Sequence, residues 1–334
     1  MKTVLVLGGT GAMGRYLVPE LAGLGYAVTA VGIEENPPKD LPATYIQGNA
    51  FDKEFLQQLL QTRYDGIVNF MNYGGDRHFY EVMDLFLQNT DHYIFTSSCR
   101  VYDDKEQPIK ETSPRLLDSS EDMVLRASGD YCIHKARDED RLANSQYRNW
   151  SVIRPATTFS TLRMQLTTLE FEDCVGRALM GKKVILPIQS KDKPATLSWG
   201  GDVAAMIARI LFKEEAMREC YNVCSAEYQT WGQIAEYYKE LVGLEAIWVD
   251  KEEYLAIINP EGKLWPRRQL EYGRMFRRIT DNSKVLKLTG MKQENLMPMY
   301  EGLKMEIGNI PKDYVPRDSE RGLRMDAYIK EHNL

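Results

Sequence analysis

Short apolar runs, each stopped by glycine or polar residues and followed by a helical pattern, recur along much of the chain. Val4, Leu5, Val6 and Leu7 are four apolar residues in a row, the signature of a short strand buried on both faces. Glycines at 8, 9, 11 and 14 interrupt that run, and a helical pattern begins near Met13 and closes at Gly25. Ala27 to Val31 predicts a second strand, Thr44 to Gln47 a third, and 53–62 a helix. Gly66 to Met71, Tyr93 to Ser97 and Ser151 to Arg154 predict strands four to six. Leu197 to Leu211 reads as a strand running into a helix, and Cys220 to Ser225 as a last sheet strand. Alternation of this kind predicts an α/β protein, a doubly wound parallel sheet with helices on both faces.

The first turn carries the chemistry that this alternation leaves unassigned. A strand that enters a glycine turn and then a helix can bring a pyrophosphate against bare backbone, facing the helix N-terminus. Gly8, Thr10, Gly11, Ala12, Met13 and Gly14 are therefore candidate dinucleotide contacts, with spacing GxxGxxG instead of GxGxxG. The residue choosing between NAD and NADP is expected just after the second strand, where an acid accepts hydrogen bonds from ribose hydroxyls. That position is Gly32, and Glu34 is the substitute whose charge would repel a 2′-phosphate. Arg15 pulls the other way, so NAD is the expectation and NADP stays open.

Composition narrows the class of molecule. With 334 residues the chain is long enough for two domains, and its net charge of −6 argues against a general attraction to nucleic acid or anionic membrane. No apolar run is long enough to span a membrane. Five scattered cysteines suit a reducing compartment, four histidines without ligand spacing argue against a metal site, and the expected location is cytoplasmic.

Two further motifs follow. Strand five ends in TSSCRVY, 96–102, and Tyr131-Cys132-Ile133-His134-Lys135 comes later. A tyrosine and a lysine at i and i+4 share one helix face, and a neighbouring ammonium favours the phenolate of a side chain whose ordinary pKa is about 10. Such a tyrosine can exchange a proton with a substrate hydroxyl that a serine holds. Ser98, Tyr131 and Lys135 are the candidate catalytic residues.

In order and spacing, the glycine turn, TSSCRVY, YCIHK and Ile153-Arg154-Pro155 together resemble the extended short-chain dehydrogenases/reductases, the NAD-dependent epimerase/dehydratase family. The resemblance continues through Asp202-Val203 and Asp281-Asn282-Ser283-Lys284, and so covers most of the chain. It implies a Rossmann sheet with a smaller, mostly C-terminal α/β substrate cap: residues 1–165 plus 195–225 would bind the dinucleotide, and 166–194 plus 226–334 the substrate. It adds Asn49, Ala50, Phe70, Met71, Asn72 and Pro155 to the cofactor contacts and lets Lys135 hold the nicotinamide ribose. Met71, Phe159, Ser160 and Gly201 depart from the family pattern.

The implied activity is NAD(P)-dependent epimerisation, dehydration or reduction of a nucleotide sugar by Ser98, Tyr131 and Lys135, in a homodimer. The alternative is a cofactor-binding protein that uses this fold to bind RNA or a protein partner without turnover. The segment 266–278 carries Arg267, Arg268, Arg274, Arg277 and Arg278 with Tyr272 and Phe276 between them. It reads either as a binding patch for a diphosphate or single-stranded nucleic acid, or as an ion-pairing surface.

Overall fold

In the computed structural model, residues 1–74 and 78–334 are described. The central sheet has seven parallel strands: β1 (Thr3–Leu7), β2 (Ala27–Gly32), β3 (Thr44–Gln47), β4 (Tyr64–Asn69), β5 (Thr90–Thr96), β6 (Trp150–Pro155) and β7 (Cys220–Val223). Their order is β7-β6-β5-β4-β1-β2-β3, so the chain reverses direction across the sheet beside β1, the first strand. Ligands in sheets of this kind bind at the carboxyl ends of the strands, at that reversal.

Burial explains why β1 is apolar at consecutive positions. Val4 and Val6 pack into one core with Leu17, Val18 and Leu21 of helix α1 (Gly14–Gly23). Leu5 and Leu7 face the opposite core, which holds Leu56 of helix α2 (Lys53–Leu59) together with Phe86, Tyr93 and Phe95. These four side chains of β1 are fully buried. Such burial contributes about 1.5–3 kcal/mol per side chain. Two more helices matter below, α3 (Tyr131–Ala143) and α4 (Gly200–Ile210).

Strand four differs from the sequence reading. It begins at Tyr64 and ends at Asn69, leaving Phe70 and Met71 beyond it. Asn69 is the cause: its side-chain oxygen Oδ1 accepts the Met71 amide at 2.9 Å, turning the chain out of the ladder. Its side-chain amide donates to Tyr93 and Tyr73, at 2.9 and 3.2 Å.

The chain divides into two compact units. The first holds Met1–Ala156, Gly200–Ser225 and Thr280–Leu296; the second holds Thr157–Trp199, Ala226–Ile279 and Met297–Leu334. These limits differ from those drawn on the sequence. Thr157–Phe159 pairs with Leu197–Trp199, which draws 157–165 and 195–199 into the second unit. The segment 280–296 joins the first because Val285 enters its core and the Asn282 amide donates to the Cys224 carbonyl at 2.8 Å.

Within the second unit, Val184–Pro187 pairs in parallel with Ala246–Val249. The C-terminal helix Glu320–Glu331 buries Met325 in that unit's core. Arg177, 1% exposed, ties this helix down through the Gly322 carbonyl at 2.9 Å and Asp326 at 2.5 Å. The arginine-rich segment is largely spent inside the unit. Arg267 forks onto Glu252 at 2.9 and 2.6 Å, Arg274 donates to Thr157 and Gln165, and Arg278 donates to the Tyr272 carbonyl.

Candidate active site

The glycine turn is built by close contacts. Gly8 has φ +79°, where only glycine is unstrained, and the amides of Gly8 and Gly9 donate to the Val31 carbonyl at 2.9 and 3.0 Å. A Cβ on Gly14 would stand 2.3 Å from the Gly8 carbonyl oxygen, so α1 can begin this close to β1 only without a side chain there. Thr10, Ala12 and Met13 are half-buried on the same turn, whereas Gly11 is exposed bare backbone. In the first turn of α1 the amides of Arg15 and Tyr16 donate to the Gly11 and Met13 carbonyls at 3.0 and 3.2 Å, so the positive end of the helix lies at the glycine turn.

Gly32 has a steric role of its own. A Cβ there would fall 2.4 Å from Glu34 Oε2 and 2.6 Å from Thr10 Oγ1. Its absence lets Glu34 fold back beside the turn, where its carboxylate accepts from Thr10 at 2.7 Å and Tyr45 at 3.3 Å. Partial burial works to raise the Glu34 pKa, but the hydrogen bonds, that of Thr10 foremost, outweigh it and hold the carboxyl below its ordinary value. Asn49, at the end of β3, is exposed and accepts the Phe51 amide at 3.0 Å; Ala50 is buried.

A run of contacts leads from the glycine turn to the candidate catalytic residues. A Cβ on Gly8 would meet the Phe70 Cβ at 3.3 Å and the Met71 sulfur at 3.9 Å. The Met71 carbonyl lies 3.5 Å from Lys135 Nζ, which donates to the Thr96 carbonyl at 2.8 Å. Lys135 is 2% exposed, and burial pushes its pKa down to about 8 against the opposing pull of Asp138 and Glu139. Burial also pushes Asp138 up to about 6. Asp130 caps α3 through the Cys132 amide, putting Tyr131 at the first helical position, one turn before Lys135.

Ser98 stands two residues past the end of β5, and its side-chain oxygen accepts the Arg100 amide at 3.1 Å. The Arg100 guanidinium carbon lies 5.5 Å from the centre of the Tyr131 ring, so one three-residue stretch touches both candidate catalytic side chains. His134 meets the Tyr131 ring edge-on at 5.5 Å and bonds Asn72 at 3.2 Å. Burial, and after it the Lys135 charge, push its pKa down to about 4, so it is neutral at pH 7. Pro155 is buried at the end of β6, in register with Val223.

Beneath these residues lies a buried polar network. Arg154 forks onto Glu139 at 2.9 and 2.7 Å and donates to the Tyr102 hydroxyl at 2.6 Å, which in turn donates to Asn222 at 2.7 Å. Arg115 adds a bond to Glu139 at 3.2 Å. Burial opposes the Glu139 charge, yet Arg154 prevails and holds its carboxyl below the ordinary value. The sequence reading had no signal for Asn69, Thr96, Asn222 or the role of Arg100, because each acts through contacts far along the chain.

A family model for the NAD dependent epimerase/dehydratase family matches residues 4–224. The chain belongs to this family. Among solved structures, the Thermus thermophilus UDP-glucose 4-epimerase in complex with NAD superposes with a TM-score of 0.68 at 16% identity, covering 93% of this chain and 100% of that one. The Bacillus cereus UDP-glucuronic acid 4-epimerase, in complex with UDP-glucuronic acid and NAD, gives 0.67 at 15% identity over 93% and 100%. At such identities the likeness is one of fold, and it places this epimerase/dehydratase family chain on the Rossmann sheet of those proteins. A sequence relative, the Arabidopsis thaliana chloroplast stem-loop binding protein of 41 kDa b, is 26% identical over 250 residues. That match takes in 70% of this chain and 62% of the relative, under two thirds of its length.

Proposed function

We propose that this chain is an NAD-dependent epimerase, or a closely related oxidoreductase, acting on a nucleotide sugar. The observation that carries the reading is Lys135, a buried lysine fixed to the Thr96 carbonyl at 2.8 Å, one helical turn from Tyr131 and beside the strand end that presents Ser98. The glycine turn fits a dinucleotide, since Gly14 and Gly8 leave no room for side chains and Gly11 offers exposed backbone. Gly8, Thr10, Gly11, Ala12, Met13 and Gly14 would hold the pyrophosphate. Glu34 would take the ribose hydroxyls, and its ionised carboxylate, held at the turn by Thr10, favours NAD over NADP. Asn49, Ala50, Phe70, Met71, Asn72 and Pro155 would line the remainder. When bound, NAD supplies reversible hydride acceptance from a sugar carbon.

The protein's own residues handle the proton. Ser98 holds the substrate hydroxyl, and Tyr131 removes its proton as phenolate and returns it after the sugar has turned its other face. Lys135 stabilises that phenolate while its ammonium stays charged. With Tyr131→Phe, turnover of the nucleotide sugar should fall about 100-fold or more while NAD affinity stays within about twofold. Steady-state kinetics with NAD titration reads both, and unchanged turnover would sink the assignment.

A second reading rests on the stem-loop binding relative: a cofactor-binding protein that takes structured RNA. Under it, Tyr131→Phe changes nothing and a gel shift with a stem-loop RNA carries the signal. The intramolecular contacts of Arg267, Arg274 and Arg278 favour the enzyme, because they withdraw guanidinium groups from an RNA surface.

A further inference from the structure

Four consecutive residues after Ser98 divide sharply. Cys99, Val101 and Tyr102 are buried in a small core with Ile109 and Ala136, and only Arg100 keeps part of its side chain exposed, 16%. The rest of that side chain is enclosed, and its Nε and Nη2 have no hydrogen-bond partner among the described residues. The carboxylate beside it, Asp130, stays 3.8 Å away, and the facing oxygen already takes the Cys132 amide at 3.3 Å and the Cys132 thiol at 3.2 Å.

A guanidinium is a planar fork that matches a carboxylate with two parallel hydrogen bonds, and enclosing one without acceptors is unfavourable. Arg154 spends its fork on Glu139 and Arg177 spends its own on Gly322, Lys183 and Asp326. Arg100 holds nothing in place with its Nε and Nη2. Turning the fork towards an incoming anion therefore breaks no protein hydrogen bond at those atoms. Its amide bonds Ser98 and its guanidinium overlies the Tyr131 ring, so such an anion would sit next to the carbon on which those two side chains act.

We propose that Arg100 anchors a carboxylate carried by the substrate on the carbon adjacent to the reacting one, which makes the substrate a nucleotide-linked uronic acid. This rests on the nucleotide-sugar reading above and narrows it. Asp130 pairs with the guanidinium only at 3.8 Å, and a neutral hydroxymethyl group in the same place would give Nε and Nη2 no charged acceptor at hydrogen-bond distance. A carboxylate satisfies both donors and the charge together.

The test is calorimetric titration of the NAD-saturated protein, wild type and Arg100→Gln, with UDP-glucuronate and with UDP-glucose. The wild type should bind the uronate about 10- to 100-fold more tightly, the range expected for charge-assisted hydrogen bonds. Arg100→Gln should bring that ratio to within about threefold of unity, and Arg100→Lys, which keeps the charge and loses the fork, should retain part of it. The thermal transition of each NAD-bound variant reports that it is folded.

Equal affinities in the wild type, or a ratio that Arg100→Gln leaves unchanged, overturn the proposal and leave the nucleotide-sugar reading standing. Equal weakening of both ligands by Arg100→Gln assigns Arg100 to the shared diphosphate and overturns it too. If neither ligand binds, the nucleotide-sugar reading falls and takes this proposal with it.

Discussion

Two arginines flank helix α3, and each stacks on a tyrosine: Arg154 at 4.9 Å from the Tyr102 ring centre, Arg100 at 5.5 Å from that of Tyr131. Around Arg154 the donors are matched, with Glu139 taking two, the Tyr102 hydroxyl and the Glu111 carbonyl one each. Around Arg100, two enclosed nitrogens have no hydrogen-bond partner among the described residues, and Asp130 pairs with the guanidinium only loosely, at 3.8 Å, its oxygen already taking the Cys132 amide. A matched buried charge holds structure in place, because removing either partner strands the other. An unmatched one weakens the empty protein and is tolerated where something outside the chain completes it. Arg154 belongs to the framework of the site, and Arg100, on the proposal above, to its ligand.

That contrast can be broken at several points. Arg154→Ala should cost about 3–5 kcal/mol, since it leaves the Glu139 carboxylate buried with only Arg115 beside it. Denaturant unfolding measures this, and a loss under about 1 kcal/mol would mean that the network is not structural.

Between the two arginines, Lys135 sharpens the comparison through pH. Its pKa in the folded chain is about 8 against an ordinary 10.5, so the folded protein gives up this proton first. The cost of burying the ammonium is carried in full below pH 8 and is shed as pH rises from 8 towards 10.5. Stability from this group therefore rises over the window in which, on the proposed mechanism, turnover would fall, because neutral Lys135 would no longer favour a Tyr131 phenolate. A fall in kcat/KM above about pH 8, with no matching fall in Tm, is the expected outcome. Parallel decline of the two would point to unfolding instead.

The smallest effect belongs to Arg100 in the empty protein. Arg100→Gln should cost no more than about 1 kcal/mol, because no hydrogen bond of its Nε or Nη2 is lost and the ion pair given up, with Asp130, is a loose one at 3.8 Å. A loss as large as that of Arg154→Ala would place both arginines in the framework.

Much of the first unit was legible from local pattern. Consecutive apolar residues at 4–7 called for a strand buried on both faces, and the glycines behind it for a turn without room for side chains; both follow from sterics within a few residues. The spacing of Tyr131 and Lys135 is likewise a property of one helix. Strand four was misjudged by two residues, since its end depends on an Asn69 hydrogen bond that apolar patterning does not register. Gly32 stands where an acid was expected and the sequence offered Glu34 instead; what only the folded chain adds is that Glu34 folds back to Thr10 through the space a side chain at 32 would take.

Charge was the least legible property. The cluster at 267–278 drew attention by its density, yet Arg267 is bound to Glu252, 15 residues away in sequence, and Arg274 to Thr157, more than a hundred away. Arg100, inside the TSSCRVY run but unmarked there by any charge pattern, has two enclosed donors without a hydrogen-bond partner among the described residues. Sequence by itself determined the strand order's raw material, the glycine turn, the Tyr131–Lys135 face and the family. Tertiary structure alone decided which charges are spent and which are held open, because the partner of a charged side chain is chosen by proximity in space, and proximity in the chain carries almost no information about it.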